Sequence, residues 1–142
     1  MLAPQHAYAL LVVAHNNPSL PPPLRMSSLA EVVRSGWRLD GAAQFLSGRV
    51  PHLRTAIGRR LRGGPAPLPP GVRDSSLLGG ALFDLLARER GREAVVGLAL
   101  SPRGDSSEQI EDAFGSSLAE IGPRWQTHVE RLARADPVSQ GR

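Results

Sequence analysis

Asp105-Ser106-Ser107-Glu108-Gln109-Ile110-Glu111-Asp112-Ala113-Phe114-Gly115-Ser116-Ser117-Leu118-Ala119-Glu120 holds two helix starts and one helix stop. Asp105 followed three positions later by Glu108, and Ser117 followed by Glu120, are capping boxes. In each, the short polar side chain accepts from a free amide of the first turn and the acid reaches back. Gly115 between them is a natural stop, because a left-handed residue closes a helix at least cost when it has no Cβ. The stretch predicts one helix from Asp105 to Phe114 and a second from Ser117 to about Ala135. Pro123 inside the second lacks an N–H and crowds the carbonyl one turn back, which predicts a kink or a start delayed to Gly122.

The same punctuation organises the rest of the chain. Ser28 and Glu31 form a further capping box, opening a helix to about Arg34 that Gly36 ends. A second helix runs from Trp37 to Ser47, its apolar positions recurring at helical intervals, with Gly48 as its stop. Pro51 suits the first turn of the next helix, and Leu53, Ile57 and Leu61 share one face of it. Asp74 or Ser75 caps a long helix to about Arg90, followed by Gly91. Gly79-Gly80 within it costs about 1 kcal/mol per Gly relative to Ala, and close approach of another backbone is the plain reason for such a pair. Glu93 to Leu100 is a short helix closed by Ser101-Pro102. Residues 5–14 are almost wholly apolar and read as a helix, broken by Asn16-Asn17-Pro18 and by Pro21-Pro22-Pro23, a run expected as polyproline II. Gly63 to Gly71 reads as a Pro/Gly loop with no packing content.

Composition excludes several classes. The chain has 142 residues, 41% of them apolar and 4% aromatic, so one modest core rests on aliphatic side chains. With no Cys there is no disulfide framework, thiolate zinc site, iron–sulfur cluster or Cys nucleophile. The longest apolar run, Ala7 to Ala14, is too short for a bilayer and no Lys or Arg precedes it. A membrane span and a signal peptide are therefore not expected, and the cytoplasm is the default compartment. All 17 basic residues are Arg and the net charge is +4, a mild bias.

Candidate chemistry is sparse. The four histidines are His6, His15, His52 and His128, and no HExxH motif exists. His6 reads as a core residue, His15 as a helix-end or turn residue, and His128 as part of a solvated face. Glu108, Glu111 and Asp112 read as an exposed acidic face. No G-x-S-x-G elbow, phosphate loop or dinucleotide fingerprint is present. From Arg49 to Arg73 there are six Arg and no acid. Arg49, Arg54, Arg59, Arg60 and Arg62 form a candidate basic patch, although Arg at a helix end also complements the helix dipole. Without interleaved aromatics to stack bases, nucleic acid is not the expected partner.

Three segments, in order, resemble one family. Trp37-Arg38-Leu39-Asp40-Gly41-Ala42-Ala43-Gln44-Phe45-Leu46-Ser47-Gly48 resembles the W-x-x-E-G-x-A-x-[YF]-x-S-G segment of the gluzincin-type, peptidase-MA-like zinc metallopeptidases. Leu77 to Gly97, through Gly79-Gly80, Phe83, Leu86 and Glu89-Arg90-Gly91, is similar to that group's scaffold helices. Ile110 to Trp125 is similar to its closing helices. The resemblance covers about residues 37–130.

The helix starts and stops imply a mainly α fold, an array of about six to eight short helices, and the resemblance likens it to the helical half of a zincin-like metallopeptidase. It divides the chain into a former metal-site half (1–62), a Pro/Gly-rich linker (63–73), a C-terminal helical half (74–136) and a tail (137–142). In the family the acid of the first segment is a zinc ligand, which falls on Asp40. The remaining ligands and the base belong to an HExxH helix, and this chain offers only His6 or His15 in two alternative registers, with apolar residues or Asn and Pro at the other positions. Hydrolytic zinc needs three protein ligands and a base to take the proton of its water. The expectation is therefore no bound cofactor, with Asp40, His15 and His6 as vestigial zinc positions, and a non-catalytic, metallopeptidase-like interaction or relic domain whose partner would be a protein. Two rivals stand beside it. One is a small Arg-rich helical module for an acidic partner or nucleic acid. The other is a residual zinc peptidase completed by another chain.

Overall fold

A computed structural model describes residues 29–101 and 105–134, and for 29–35 the backbone alone. The expected segment 5–14, the triple Pro, the Ser28 capping box, His6, His15 and the tail lie outside the described residues. Among the described residues the fold is mainly helical, with six α-helices and no strand. They are α1 (Leu29–Leu46), α2 (Arg54–Leu61), α3 (Ser75–Arg90), α4 (Arg92–Ala99), α5 (Ser106–Phe114) and α6 (Leu118–Arg134), with a 3-10 turn at Val50–Leu53 leading into α2.

Two helix starts each keep half of a capping box: Asp105 supplies the side-chain acceptor, and Glu120 the acid that reaches back. Asp105 accepts from the amides of Ser107 (2.8 Å) and Glu108 (3.3 Å) to open α5. Gly115 closes it at φ 64°. Glu120 receives both the amide and the hydroxyl of Ser117 at 2.9 Å, and those two donors hold its carboxyl below the usual range. Gly48 ends α1 at φ 69°, and Pro51 sits in the first turn of the 3-10 segment.

Two boundaries differ from the punctuation. Gly36 does not end a helix, because α1 runs through it. Among the described residues nothing lies within 4 Å of a Cβ placed there, so the residue is merely a weak point in a helix anchored by Trp37, Ala42 and Ala43, all buried. Pro123 does not delay α6, which begins at Leu118. A proline near a helix start removes one hydrogen bond, while Ile121, Trp125 and Val129, all fully buried, anchor the apolar face on either side.

Helix α1 packs chiefly on α3, and α2 on α6. The first crossing explains the paired glycines. A Cβ on Gly41 would lie 2.5 Å from the Gly79 carbonyl carbon, and one on Gly79 would lie 2.5 Å from the Trp37 oxygen. The backbones touch, as expected for Gly79. Gly80 has a different reason, since its Cβ would meet the Gln44 side chain at 2.7 Å and Val50 at 2.9 Å. Gln44 is buried there, accepting from the Gly80 amide at 3.2 Å and donating to the Ser76 carbonyl. One side-chain amide thus bridges both partners of a single helical turn of α3.

The core is one cluster drawn from both sides of the Pro/Gly loop, with Trp37 and Phe83 rings 6.3 Å apart and Trp125 fully buried. The loop itself belongs to it, which corrects the reading of a segment without packing content. Ala66 is 2% exposed. Gln126 brackets it, accepting from its amide at 3.2 Å and donating to its carbonyl at 2.5 Å, while Trp125 Nε1 donates to the carbonyls of Ala66 and Pro67. Periodicity misses this because prolines and small residues pack without any repeat, and their partners lie some 60 positions away.

Candidate functional site

The Trp37–Gly48 segment lies on the inner turns of α1, at its crossing with α3. Trp37 is 2% exposed and its Nε1 donates to Ser106 Oγ at 3.1 Å. Ala42 and Ala43 are fully buried, and Phe45 is packed against the core from its edge. Ser47 Oγ donates to the Gln44 carbonyl as the helix closes. Asp40 is half-buried and engaged by a partner. Among the described residues no three His, Asp or Glu side chains gather as metal ligands. His52, on the 3-10 turn, is exposed.

The five arginines of the basic patch differ in exposure and in partners. Arg59 and Arg62 are exposed, and Arg49 and Arg54 are half-buried, Arg54 with a partner of its own. Arg60 turns back onto the loop. Its Nε and Nη2 donate to the two oxygens of Asp74 at 2.7 and 3.0 Å, and Nη1 to the Gly64 carbonyl at 3.2 Å. The Asp74 bond raises its affinity for the proton. Asp74 is buried, so the N-cap residue of α3 spends its carboxylate on Arg60 and makes no side-chain cap. Arg60 is a clasp between α2 and the start of α3. The acids of α5 differ in the same way. Glu111 accepts from the Leu118 amide at 2.8 Å, joining α5 to α6, and Glu108 and Asp112 are exposed.

Two polar clusters go unread in the sequence. The first contains His128, which is 3% exposed rather than on a solvated face. Arg131 Nη2 lies 2.8 Å from its Nδ1. A guanidinium can only donate, so Nδ1 accepts and the ring proton sits on Nε2. Nε2 faces Asp84 Oδ2 at 3.0 Å, close but poorly directed for a hydrogen bond. Asp84 also receives Arg88 Nε at 2.9 Å. Burial alone would raise the Asp84 carboxyl, but the contacts with His128 and Arg88 outweigh it and hold it below the ordinary value. A signal is present in the period of α6: Ile121, Trp125, His128 and Val129 fall on one stripe.

The second cluster is built on Arg38, 4% exposed on α1. Its Nη1 donates to Ser101 Oγ at 3.0 Å and to Gln109 Oε1 at 2.9 Å, tying α1 to the end of α4 and to α5. Its Nε is buried without an acceptor, and burial lowers its affinity for the proton. No local pattern marks this residue, because both partners lie more than 60 positions away.

Set against family models, curated proteins and solved structures, the chain finds no match in any of the three. Among the described residues no helix is long and apolar enough to cross a membrane.

Proposed function

We propose that this chain is a non-catalytic helical domain of metallopeptidase-like ancestry, acting through interaction with a protein partner. One observation carries the reading. The residues of the segment that resembles the zinc-ligand motif are committed to helix packing: Trp37 and the alanines to the core, Gly41 to the crossing with Gly79, Gln44 to the backbone of α3, Ser47 and Gly48 to the helix end. Asp40 is the one position of that segment whose residue type points to a metal, and a single carboxylate is a weak site for a divalent ion. A chain with no HExxH supplies no general base beside it.

Elemental analysis of zinc in the purified protein, beside an Asp40→Ala variant, tests the reading. Less than about a tenth of an equivalent in both is the expected result. Near one equivalent in the parent chain, lost in the variant, would overturn it and return the chain to the zinc peptidases.

A further inference from the structure

Two helix faces of opposite charge stand open on this molecule. On α2 and the residue that caps it, Thr55, Ala56, Arg59 and Arg62 are exposed and share about a third of the helix circumference, while Ile57 is buried behind them. Arg59 and Arg62, one turn apart, form no ion pair among the described residues, and no acid lies between Arg49 and Arg73. On α5 and its caps, Asp105, Glu108, Asp112 and Gly115 are exposed and share a face in the same way, with Ile110 and Phe114 buried behind them. Asp105 is taken up by the first amides of its own helix. Glu108 and Asp112 pair with no cation among the described residues, and Arg90, which lies beside Gly115, pairs with neither.

Helix dipoles account for part of this pattern. Arg59 and Arg62 lie at the end of α2 and Glu108 in the first turn of α5, where each sign is favoured. Asp112 has no such reason. It sits in the last turn of α5, at the negative end of the dipole, and repels Glu108 one turn before it. A cation from outside the helix relieves both. The α2 arginines of the same molecule stand too far off to supply it. Helix α5 meets the start of α6 through the bond from the Leu118 amide to Glu111, and α2 meets its end, where a Cβ on Gly58 would lie 3.8 Å from that of Ala133. From Leu118 to Ala133 the helix rises about 22 Å. We infer that the two faces meet between molecules: the Arg59–Arg62 face of α2 in one copy docks on the Glu108–Asp112 face of α5 in another, a heterologous contact of two guanidinium groups with two carboxylates. Ala56 on one face and Gly115 on the other are small, so the helices can approach closely. Exposed pairs are weak and two short helices bury less than a standard interface, so the contact is transient, with a Kd of about 1 mM at low salt. It involves neither Asp40 nor the ancestry of the fold, so the zinc measurement and the association measurement succeed or fail independently.

Static light scattering of the full chain at about 1 mM, in about 20 mM and about 500 mM sodium chloride, tests it. The expected result is a weight-average mass about 1.5 times that of the monomer at low salt, falling to the monomer value at high salt. Two charge-reversed variants, Arg59→Glu with Arg62→Glu and Glu108→Arg with Asp112→Arg, each set like charges against each other and should stay monomeric alone. Mixed in equal amounts they should associate again at low salt, because the acidic α2 of the first meets the basic α5 of the second. All four side chains are exposed, so the variants should keep the fold, which circular dichroism checks. If a reversal does not fold, Arg62→Gln and Asp112→Asn carry the test, each expected to weaken the association at least about twofold. A parent chain that is monomeric at both salt concentrations, association that persists in either reversed variant alone or is unchanged in the two neutral ones, or a mixture that stays monomeric overturns the inference.

Discussion

Replacing Gly79 by Ala should destabilise the protein, although alanine is the better helix former. In α3 the substitution gains about 1 kcal/mol of helix propensity. Against that, the new Cβ would lie 2.5 Å from the Trp37 carbonyl oxygen, 3.0 Å from the Gly41 Cα and 3.1 Å from the Gly41 nitrogen. All three are backbone atoms of α1, so no side chain can swing away and the two helices must part. Overpacking of a close-packed site costs about 1–3 kcal/mol, and a rigid backbone obstacle puts this case at the upper end. The net loss is then about 2 kcal/mol, or a fall in Tm of roughly 6–10 °C for a domain of this size. Gly36→Ala supplies the control on the partner helix. Among the described residues nothing lies within 4 Å of its Cβ, so the propensity gain stands alone and Tm should rise by about 3 °C. Reversible thermal melts monitored by circular dichroism read both. Equal shifts of the same sign in the two variants would refute the argument, because propensity would then account for both and the α1–α3 backbone contact would carry no weight.

Two further perturbations probe the other joints. Asp84→Asn keeps the shape but removes the charge that His128 and Arg88 stabilise. The folded carboxyl titrates below its unfolded value, so its contribution is complete above about pH 4 and is lost as pH falls through the lower folded value. The variant should be less stable by about 1 kcal/mol at neutral pH, with the gap closing on acidification; urea unfolding at a series of pH values checks this, and a gap that widens in acid contradicts it. Gln126→Leu strips Ala66 of the acceptor for its amide and of one donor to its carbonyl. Hydrogen exchange at the Ala66 amide should accelerate, with a global loss of about 1–2 kcal/mol; unchanged protection there would mean the loop is held by packing alone.

The legible part of the fold is what is decided within one turn of helix. Asp105, Glu120, Gly48 and Gly115 act on amides and carbonyls one to four residues away, so their identity and position predict their role. Ile57 and its neighbours at four-residue spacing are legible for the same reason. The failures are all tertiary. Gly36 has a stop residue's identity, but a helix ends where continuing it costs more than it gains, and Trp37, Ala42 and Ala43 bury on α3 immediately beyond. Ala66 has no local cue for burial, since Trp125 and Gln126 supply its surroundings from the last helix. Asp74 has an N-cap residue's identity and position, yet its carboxylate goes to Arg60, fourteen positions earlier. His128 reads as solvated against its own helical stripe, because its charged sequence neighbours Glu130 and Arg131 mask Trp125 and Val129 at i−3 and i+1.

The Trp37–Gly48 segment shows how a chemical motif and a packing motif can share one pattern. A helix that crosses another at backbone contact needs a small residue at the crossing, met by Gly41. It needs small apolar residues on the buried flank, met by Ala42 and Ala43, and a large apolar residue one turn earlier, met by Trp37. It needs a left-handed stop, met by Gly48. These demands alone generate a W-x-x-x-G-A-A-x-x-x-x-G spacing, whatever the fourth residue is. The acid at that fourth position lies outside these demands, since Asp40 is only half-buried and has a partner of its own. Discrimination between a scaffold and a metal site therefore falls on Asp40 alone, and the single-atom chemistry of its carboxylate is what the zinc count measures.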